Sequence, residues 1–269
     1  MRRTARLVVV LTVLALATLL LLPPQLLAIR FMPRRAAVLP MLWQRVARRL
    51  LGLRVAVEGM PAPARPLLLV ANHVSWLDIV TLGSIMPVSF IAKREVGEWP
   101  LVRHLARLQR SVFVDRARRQ QTSAHGAAIA ARLEGGDVLV LFAEGTTGDG
   151  IAVLPFRSAL VGAAARAMGA DQCITLQPVA IAYTALQGLP IGRLRMSDVA
   201  WHGDMELVPH LAGLIGVGAI DAVVAFGEPI SLAPGGDRKA ATAAAEAAVR
   251  GRVRAIHAGR GAARIATQP

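Results

Sequence analysis

A polar segment that directly follows an unbroken apolar run constrains this chain most. The run occupies residues 66–71, and the segment NHVSWLD follows it at residues 72–78. A continuous apolar run of this length is typical of a strand buried on both faces of a parallel sheet. The polar segment is therefore predicted to lie where a strand gives way to a helix. In open α/β sheets, ligands bind at that end of the strands.

His73 and Asp78 of this segment form the candidate catalytic pair. Their spacing is one residue longer than the spacing that places two side chains on one helical face. They can meet only if His73 lies in the turn before the helix and Asp78 lies in its first turns. Asp78 would then bind one imidazole nitrogen and leave the other free to act as a base. The alternative is that His73 caps the helix and Asp78 pairs with an arginine.

Strand-like and helix-like runs alternate along residues 53–258, which predicts an α/β fold with a mostly parallel sheet flanked by helices. The predicted strands are 53–58, 66–71, 88–92, 111–114, 137–142, 174–183 and 221–226, the last of these being the final strand. Pro178 predicts that the strand 174–183 is bent or lies near an edge. A loop-rich insert is expected over 186–209, and residues 259–269 are expected to be disordered.

Polar residues also follow two later predicted strands. Asp115 and Arg116 follow the run 111–114, and the segment EGTTGDG follows the run 137–142. If these strand ends adjoin, one crevice would contain a histidine base, an arginine and the backbone N–H groups of a glycine-containing turn. That set suits the attack of an alcohol on an acyl group, because N–H donors can stabilise the developing oxyanion.

Several other functions find no support. The motifs G-x-S-x-G, G-x-x-x-x-G-K-[ST], G-x-G-x-x-G and H-E-x-x-H are all missing from the sequence. His202 and His210 flank Asp204 and Glu206, but we interpret these as polar loop residues and expect no metal. The formal charge of +14 suits an anionic membrane surface. Without interleaved aromatic residues it does not indicate a nucleic-acid partner.

The N-terminal part, residues 1–52, is predicted to be a membrane-anchoring and interfacial unit. Residues 7–29 are mostly apolar and about long enough to span a bilayer. Three interpretations of this segment remain open: a spanning helix, a signal peptide, or a helix that enters the membrane without fully crossing it. The third is kept because Pro23 and Pro24 interrupt the apolar run. Residues 41–51 form a basic amphipathic pattern that predicts a helix in the headgroup plane or on the domain, with Leu42, Val46 and Leu50 on its apolar side.

The ordered motifs resemble those of the glycerophospholipid acyltransferases, specifically the 1-acyl-glycerol-3-phosphate acyltransferase-like members. The matching blocks are N-H-x-x-x-x-D at 72–78, F-V-D-R at 113–116, F-x-E-G-T at 142–146 and Q-P-V-A at 177–180. Their order and spacing agree with the family across roughly residues 53–230.

The resemblance implies that residues 53–258 form an acyltransferase domain in which His73 is the general base and Asp78 orients it. The acceptor would be bound by six residues, namely Arg116, Glu144, Gly145, Thr146, Thr147 and Arg157. The implied acyl donor is a thioester of acyl carrier protein or coenzyme A, with no metal and no other cofactor. The implied reaction acylates 1-acyl-sn-glycerol-3-phosphate to phosphatidic acid at the inner membrane. The catalytic domain would face the cytoplasm, where the thioester donors are made.

One departure from the family pattern concerns the acceptor. Thr147 stands where the family usually has an arginine that is a candidate phosphate partner. The segment around it resembles bacterial relatives that include lyso-ornithine lipid acyltransferases, whose zwitterionic acceptor needs no phosphate clamp. Arg157 is an alternative source of the missing charge. We expect the glycerophosphate acceptor and keep lyso-ornithine lipid, and a non-catalytic lipid-binding protein on the same fold, as alternatives.

Overall fold

The computed structural model describes residues 2–93, 98–114, 122–167 and 172–260. The described residues form nine strands: β1 Leu53–Glu58, β2 Leu67–Ala71, β3 Ser89–Lys93, β4 Val112–Val114, β5 Val138–Phe142, β6 Ile174–Leu186, β7 Leu189–Pro190, β8 Ile220–Phe226 and β9 Ile230–Leu232. One sheet contains them in the order β1-β8-β6-β2-β5-β3-β4, with β7 and β9 paired to β6. The pairs on both sides of β2 are parallel, which confirms the predicted α/β class with a mostly parallel sheet.

Helices cover both faces of this sheet. They are α1 Arg2–Phe31, α2 Val38–Leu51, α3 Leu77–Ile85, α4 Pro100–Leu108, α5 Thr122–Glu134, α6 Ser158–Ala167, α7 Arg193–Met196, α8 Leu207–Val217 and α9 Arg238–His257. One apolar cluster joins α2, α3 and α8 to the first face of the sheet. A second cluster joins α5, α6 and α9 to the opposite face.

Strand β2 is buried on both faces, as its apolar run predicts. Leu67 and Leu69 point into the first cluster, whereas Leu68 and Val70 point into the second. Each fully buried leucine of this kind stabilises the fold by about 1.5–3 kcal/mol. The polar segment after Ala71 therefore begins at the end of a strand that is buried along its whole length.

Of the two alternatives predicted from Pro178, the position near an edge is wrong, because β6 lies in the middle of the sheet. On one side, Pro178 pairs with Val70 of β2. On the other side, the partner of β6 changes from β9 to β8 at this point, and Gly227 N–H donates to the Pro178 carbonyl at 2.8 Å. The N–H and C=O of a strand residue point to the same side. An N–H group at residue 178 would therefore point to the place where β9 gives way to β8, and not toward β2.

Two further predictions about the C-terminal half are corrected. The expected loop over 186–209 contains β7 and α7, and helix α8 begins within it at Leu207, where no helix was predicted. Helix α8 is apolar around most of its circumference and contacts both α1 and the first apolar cluster, so it lacks the amphipathic period that identifies surface helices. The strand over 221–226 is followed by one more, β9. Residues 261–269 of the predicted disordered tail lie outside the described residues.

The N-terminal helices pack against each other and against the sheet domain. Helix α1 continues through Pro23 and Pro24. Arg6 of α1 donates to the carbonyl of Leu51 at 3.4 Å, and Gln25 donates to the carbonyl of Leu108 at 2.6 Å. The side of α1 that carries these residues therefore contacts the rest of the protein over most of the helix length.

The predicted apolar side of the segment 41–51 is not the side that α2 buries. The buried residues of α2 are Pro40, Gln44, Ala47 and Leu51, whereas Leu42 is 40% exposed. The buried Gln44 donates from Nε2 to Gln109 Oε1 at 2.7 Å, while its Oε1 has no partner among the described residues. Hydrophobic periodicity could not anticipate that partner.

Candidate active site

The segment after β2 is held against β6 by an asparagine. Asn72 donates from Nδ2 to the Ile181 carbonyl at 2.9 Å, and its Oδ1 accepts from Ile181 N–H at 2.8 Å. These two bonds extend the β2–β6 pairing beyond Ala71, where the strand itself ends. Asn72 therefore fixes the direction in which the following residues leave the sheet.

His73 and Asp78 meet as their spacing predicts. His73 lies in the turn before α3, Asp78 lies in the first turn of α3, and His73 Nδ1 is 2.8 Å from Asp78 Oδ2. The same oxygen accepts hydrogen bonds from the N–H groups of Val74 and Ser75, at 2.7 and 3.0 Å. The helix N-terminus also favours a negative charge at this position. The alternative prediction was that Asp78 pairs with an arginine, and among the described residues no arginine does so.

The imidazole of His73 is oriented by its two neighbours. It stacks on the Phe142 ring, with 3.9 Å between ring centroids and 10° between planes. The bond to Asp78 assigns the proton to Nδ1, which leaves Nε2 with its lone pair. The side chain is 18% exposed, and no hydrogen bond to Nε2 is formed within the described residues. The geometry therefore presents Nε2 as a basic nitrogen open to a substrate.

The turn after β5 is fastened to the His73 turn. Gly148 N–H donates to the His73 carbonyl at 2.8 Å, and Gly145 N–H donates to the Phe142 carbonyl at 3.1 Å. Gly150 has φ +75°, and a Cβ there would lie 2.9 Å from the Val74 side chain. A glycine is required at residue 150 both for the left-handed backbone and for this close approach. Strands β2 and β5 are adjacent, so two of the three predicted polar clusters adjoin.

The predicted acceptor residues differ in how the fold places them. Thr146 and Arg157 are exposed, Thr147 is half-buried, and Glu144 and Gly145 are buried. Arg157 is anchored through its backbone N–H, which donates to the Ala143 carbonyl at 2.8 Å. Arg116 lies outside the described residues, as does Asp115.

Glu144 carries a buried carboxyl group in the turn after β5. It is 3% exposed, and its Oε1 accepts from Leu154 N–H at 3.3 Å. Burial raises the pKa of Glu144 to about 8, although hydrogen bonds from the backbone of His73 and Leu154 act in the opposite direction. The nearby charges of Asp78 and Asp149 raise it further. The protonated form of Glu144 is thus favoured near neutral pH.

This pKa predicts how stability depends on pH. The pKa is raised on folding, so the contribution is complete below about pH 4.5 and is lost as the pH rises through about 8. Relative to Glu144→Gln, the wild type should lose up to roughly 4 kcal/mol between pH 5 and 9. Urea unfolding of both proteins in detergent across this range measures the difference, with Glu228→Gln on the exposed β8–β9 connection as the matched control. Parallel stability curves for wild type and Glu144→Gln would contradict the prediction.

Sequence reasoning missed two residues that contact the segment 72–78. Tyr183 donates its hydroxyl to Asp78 Oδ1 at 2.7 Å. His210 accepts from Trp76 Nε1 at 3.0 Å through its Nδ1, so it supports the turn from α8. A tyrosine within the otherwise apolar strand 174–183 was a possible signal, whereas nothing in the sequence linked His210 to Trp76.

Comparisons with known proteins identify the family of the chain. A family model described as Acyltransferase matches residues 54–182. The lyso-ornithine lipid O-acyltransferase of Brucella abortus is 45% identical over 260 residues, which cover 96% of this chain and 97% of that protein. The 1-acyl-sn-glycerol-3-phosphate acyltransferase of Neisseria gonorrhoeae is 38% identical over 112 residues, which cover 41% of this chain and 43% of that protein.

A solved structure shows the same fold. The crystal structure of the 1-acyl-sn-glycerophosphate acyltransferase PlsC from Thermotoga maritima matches with a TM-score of 0.62, covering 96% of this chain and 98% of that one at 23% identity. The family model includes both the His73 turn and the Glu144 turn, and the Brucella relative is similar over nearly its whole length. The chain therefore belongs to the acyltransferase family and is an acyltransferase of the lysophospholipid type.

Proposed function

We propose that the chain is a lyso-ornithine lipid O-acyltransferase that uses an acyl thioester of acyl carrier protein or coenzyme A. The observation that carries this proposal is the extent of the similarity. The match to the Brucella lyso-ornithine enzyme covers 96% of the chain, whereas the match to the Neisseria glycerophosphate enzyme covers 41%. The glycerophosphate acceptor expected from the core motifs thereby becomes the second candidate.

The proposed reaction begins at Nε2 of His73. This nitrogen removes the proton from the acceptor hydroxyl as the oxygen attacks the thioester carbonyl carbon. Asp78 holds Nδ1–H at 2.8 Å, which fixes the tautomer and stabilises the imidazolium that forms. The C–S bond then breaks, and the imidazolium returns the proton to the leaving thiolate. The products are an ester and a free thiol, and His73 regains its starting protonation state.

The turn after β5 supplies candidate donors for the oxyanion. The amides of Gly145 and Gly148 donate within the protein, to Phe142 and His73. Within the described residues no acceptor is seen for the amides of Thr146 and Thr147. These two N–H groups lie in the turn fastened to His73, so we assign them to the developing oxyanion.

The side chains around the turn support a zwitterionic acceptor. Thr147 replaces the arginine expected of a phosphate-binding member, and no cation is paired with Glu144 or Asp149 among the described residues. A phosphate monoester is bound best by charge-assisted, bidentate contacts from arginine. A headgroup that carries its own positive and negative charges depends less on such a clamp.

A paired-acceptor assay tests this proposal. We expect purified protein in detergent to acylate lyso-ornithine lipid with roughly 10²-fold higher kcat/KM than lysophosphatidic acid, because threonine in place of arginine at residue 147 removes one partner of the phosphate charge. Each acceptor is assayed with both donors, acyl carrier protein and coenzyme A thioesters. Thr147→Arg should raise activity on lysophosphatidic acid, and Thr147→Gln is the control of similar bulk. Robust wild-type activity on lysophosphatidic acid, with none on lyso-ornithine lipid, would restore the glycerophosphate acceptor.

We further propose that α1 lies along one membrane leaflet instead of crossing the bilayer. By length and composition, Arg3–Phe31 could span a membrane. However, α1 contacts the remainder of the protein from Arg6 to Gln25, a distance of about 28 Å along a helix. The hydrocarbon core of a bilayer is about 30 Å thick, so a spanning α1 would carry the attached domain into the lipid.

The outer side of α1 supports this membrane position. Its exposed apolar residues include Leu11, Leu16, Leu19, Leu20, Leu26, Leu27 and Phe31. Such an uncovered apolar side on a helix that is otherwise docked suits burial among acyl chains. The thioester donors and the acceptor would then reach the same face of the membrane, which we assign to the cytoplasmic side of the inner membrane.

A further inference from the structure

The two carboxylate oxygens of Asp78 have different partners. Oδ2 accepts from His73 and from the backbone of the turn, whereas Oδ1 accepts from the Tyr183 hydroxyl at 2.7 Å. Asp78 is 0% exposed and Tyr183 is 1% exposed, so water does not compete for this bond. A hydrogen bond to an ionised acceptor in such surroundings is among the strong ones.

The register of the sheet brings Tyr183 to this position. Strand β6 continues past the end of β2, where Ala71 pairs with Val179. Asn72 then bonds to Ile181, and Tyr183, two residues farther on, points to the same side of the sheet as Ile181. That side faces the first turn of α3. The tyrosine hydroxyl also lies 3.4 Å from Thr81 Oγ1, which confines it between the strand and the helix.

We propose that Tyr183 is a positioning residue that sets how strongly Asp78 holds the imidazolium of His73. The inference rests on the proposed role of His73 as general base. The phenol draws negative charge toward Oδ1 and away from Oδ2, which weakens the attraction between Asp78 and protonated His73. It also fixes the carboxylate orientation, so that Oδ2 stays on the His73 side.

Other polar groups near this unit come from separate elements. Glu144 faces it from the turn after β5, where the charge of Asp78 contributes to the raised pKa of Glu144. His210 contacts it from α8 through Trp76. Thr81 approaches the hydroxyl from α3, and His257 of α9 forms a hydrogen bond with the backbone of Tyr183. None of these groups is altered in the experiment that follows, so a change in pH dependence reports on the phenol.

The composition of the chain makes a clean test possible, because Tyr183 is its single tyrosine. Growth of a tyrosine auxotroph on 3-fluorotyrosine replaces this residue alone and yields a more acidic phenol, which is a stronger hydrogen-bond donor. Tyr183→Phe removes the donor and keeps the ring. The kcat/KM of each protein is measured from pH 5 to 9 with whichever acceptor the wild type uses.

The two changes should move the acid limb of the pH profile in opposite directions. In Tyr183→Phe the limb should shift upward by about 0.5 pH unit, because Asp78 then holds the imidazolium more strongly. The maximal kcat/KM should fall roughly tenfold, since a buried acceptor is left unsatisfied. With 3-fluorotyrosine the limb should shift downward, with near-normal activity at its optimum. If activity falls in both proteins while the acid limb stays in place, Tyr183 has only a structural role and the proposal is wrong.

A second readout separates this inference from the proposed catalytic role. The protonation of the His73 ring can be followed by NMR after 15N-histidine labelling, with the resonance assigned by its loss in His73→Gln. The pH midpoint of His73 protonation should be highest in Tyr183→Phe, intermediate in the wild type and lowest in the protein with 3-fluorotyrosine. If the midpoints follow that order and the rate profile does not, the coupling from Tyr183 through Asp78 to His73 stands and the general-base role fails. Unchanged midpoints overturn the coupling whatever the activity is.

Discussion

His73→Ala should reduce acyl transfer by ~10²–10⁴-fold, the usual cost of removing a general base. The expected loss follows from the geometry, because the bond from Nδ1 to Asp78 is 2.8 Å and leaves Nε2 open to the acceptor hydroxyl. It should appear in kcat with either thioester donor, since the base acts on the acceptor. Steady-state transfer of labelled acyl chains in detergent micelles measures it.

A second histidine, far from the proposed base in sequence, provides a matched control variant. His104 is exposed on α4, and His104→Ala should retain wild-type kcat. Unfolding curves should show that both variants are folded, because His73 is partly exposed and its removal leaves the strands intact. Near-normal turnover by folded His73→Ala would refute the proposed mechanism and leave the fold and the family unaffected.

Replacing Leu16, Leu19 and Leu20 together by glutamate should release the protein from liposomes while the fold persists. These three leucines are 59%, 66% and 76% exposed on the outer side of α1. Each leucine buried in lipid contributes about 1.5–3 kcal/mol, so the triple change should lower the partition coefficient by more than roughly 10³-fold. Flotation of the variant with liposomes measures this, and Met60→Glu, on the exposed loop after β1, is the control. Unchanged flotation of the triple variant would show that this side of α1 does not contact lipid.

Cysteine labelling can measure the orientation of α1 relative to the membrane. Thr4 and Arg34 are both exposed; Thr4 lies in the first turn of α1, and Arg34 lies in the short turn that follows its C-terminal end. In a Cys173→Ser background, Thr4→Cys and Arg34→Cys should both react with an impermeant maleimide from the same side of a sealed vesicle. Labelling of the two positions from opposite sides would show that α1 spans the bilayer.

The sequence by itself determined the features that depend on neighbouring residues. The strand 67–71 follows from an unbroken apolar run, and the contact of His73 with Asp78 follows from a spacing that only a turn followed by a helix can satisfy. The start of α9 was also predictable, because Asp237 caps its N-terminus by accepting from the N–H groups of Lys239 and Ala240. In each case the relevant partners lie within a few residues, so local geometry alone decides the outcome.

Only the tertiary structure decided the features whose partners are distant. Tyr183 reaches Asp78 across 105 residues of chain, and the register between β2 and β6 places them together. The buried side of α2 includes Gln44, whose Nε2 donates to Gln109, 65 residues farther along the chain. A pattern of apolar residues predicts which side of a helix prefers to be buried. It does not reveal which polar groups find a partner. Those pairings accompany the burial of the Gln44 side of α2 and place Tyr183 beside Asp78.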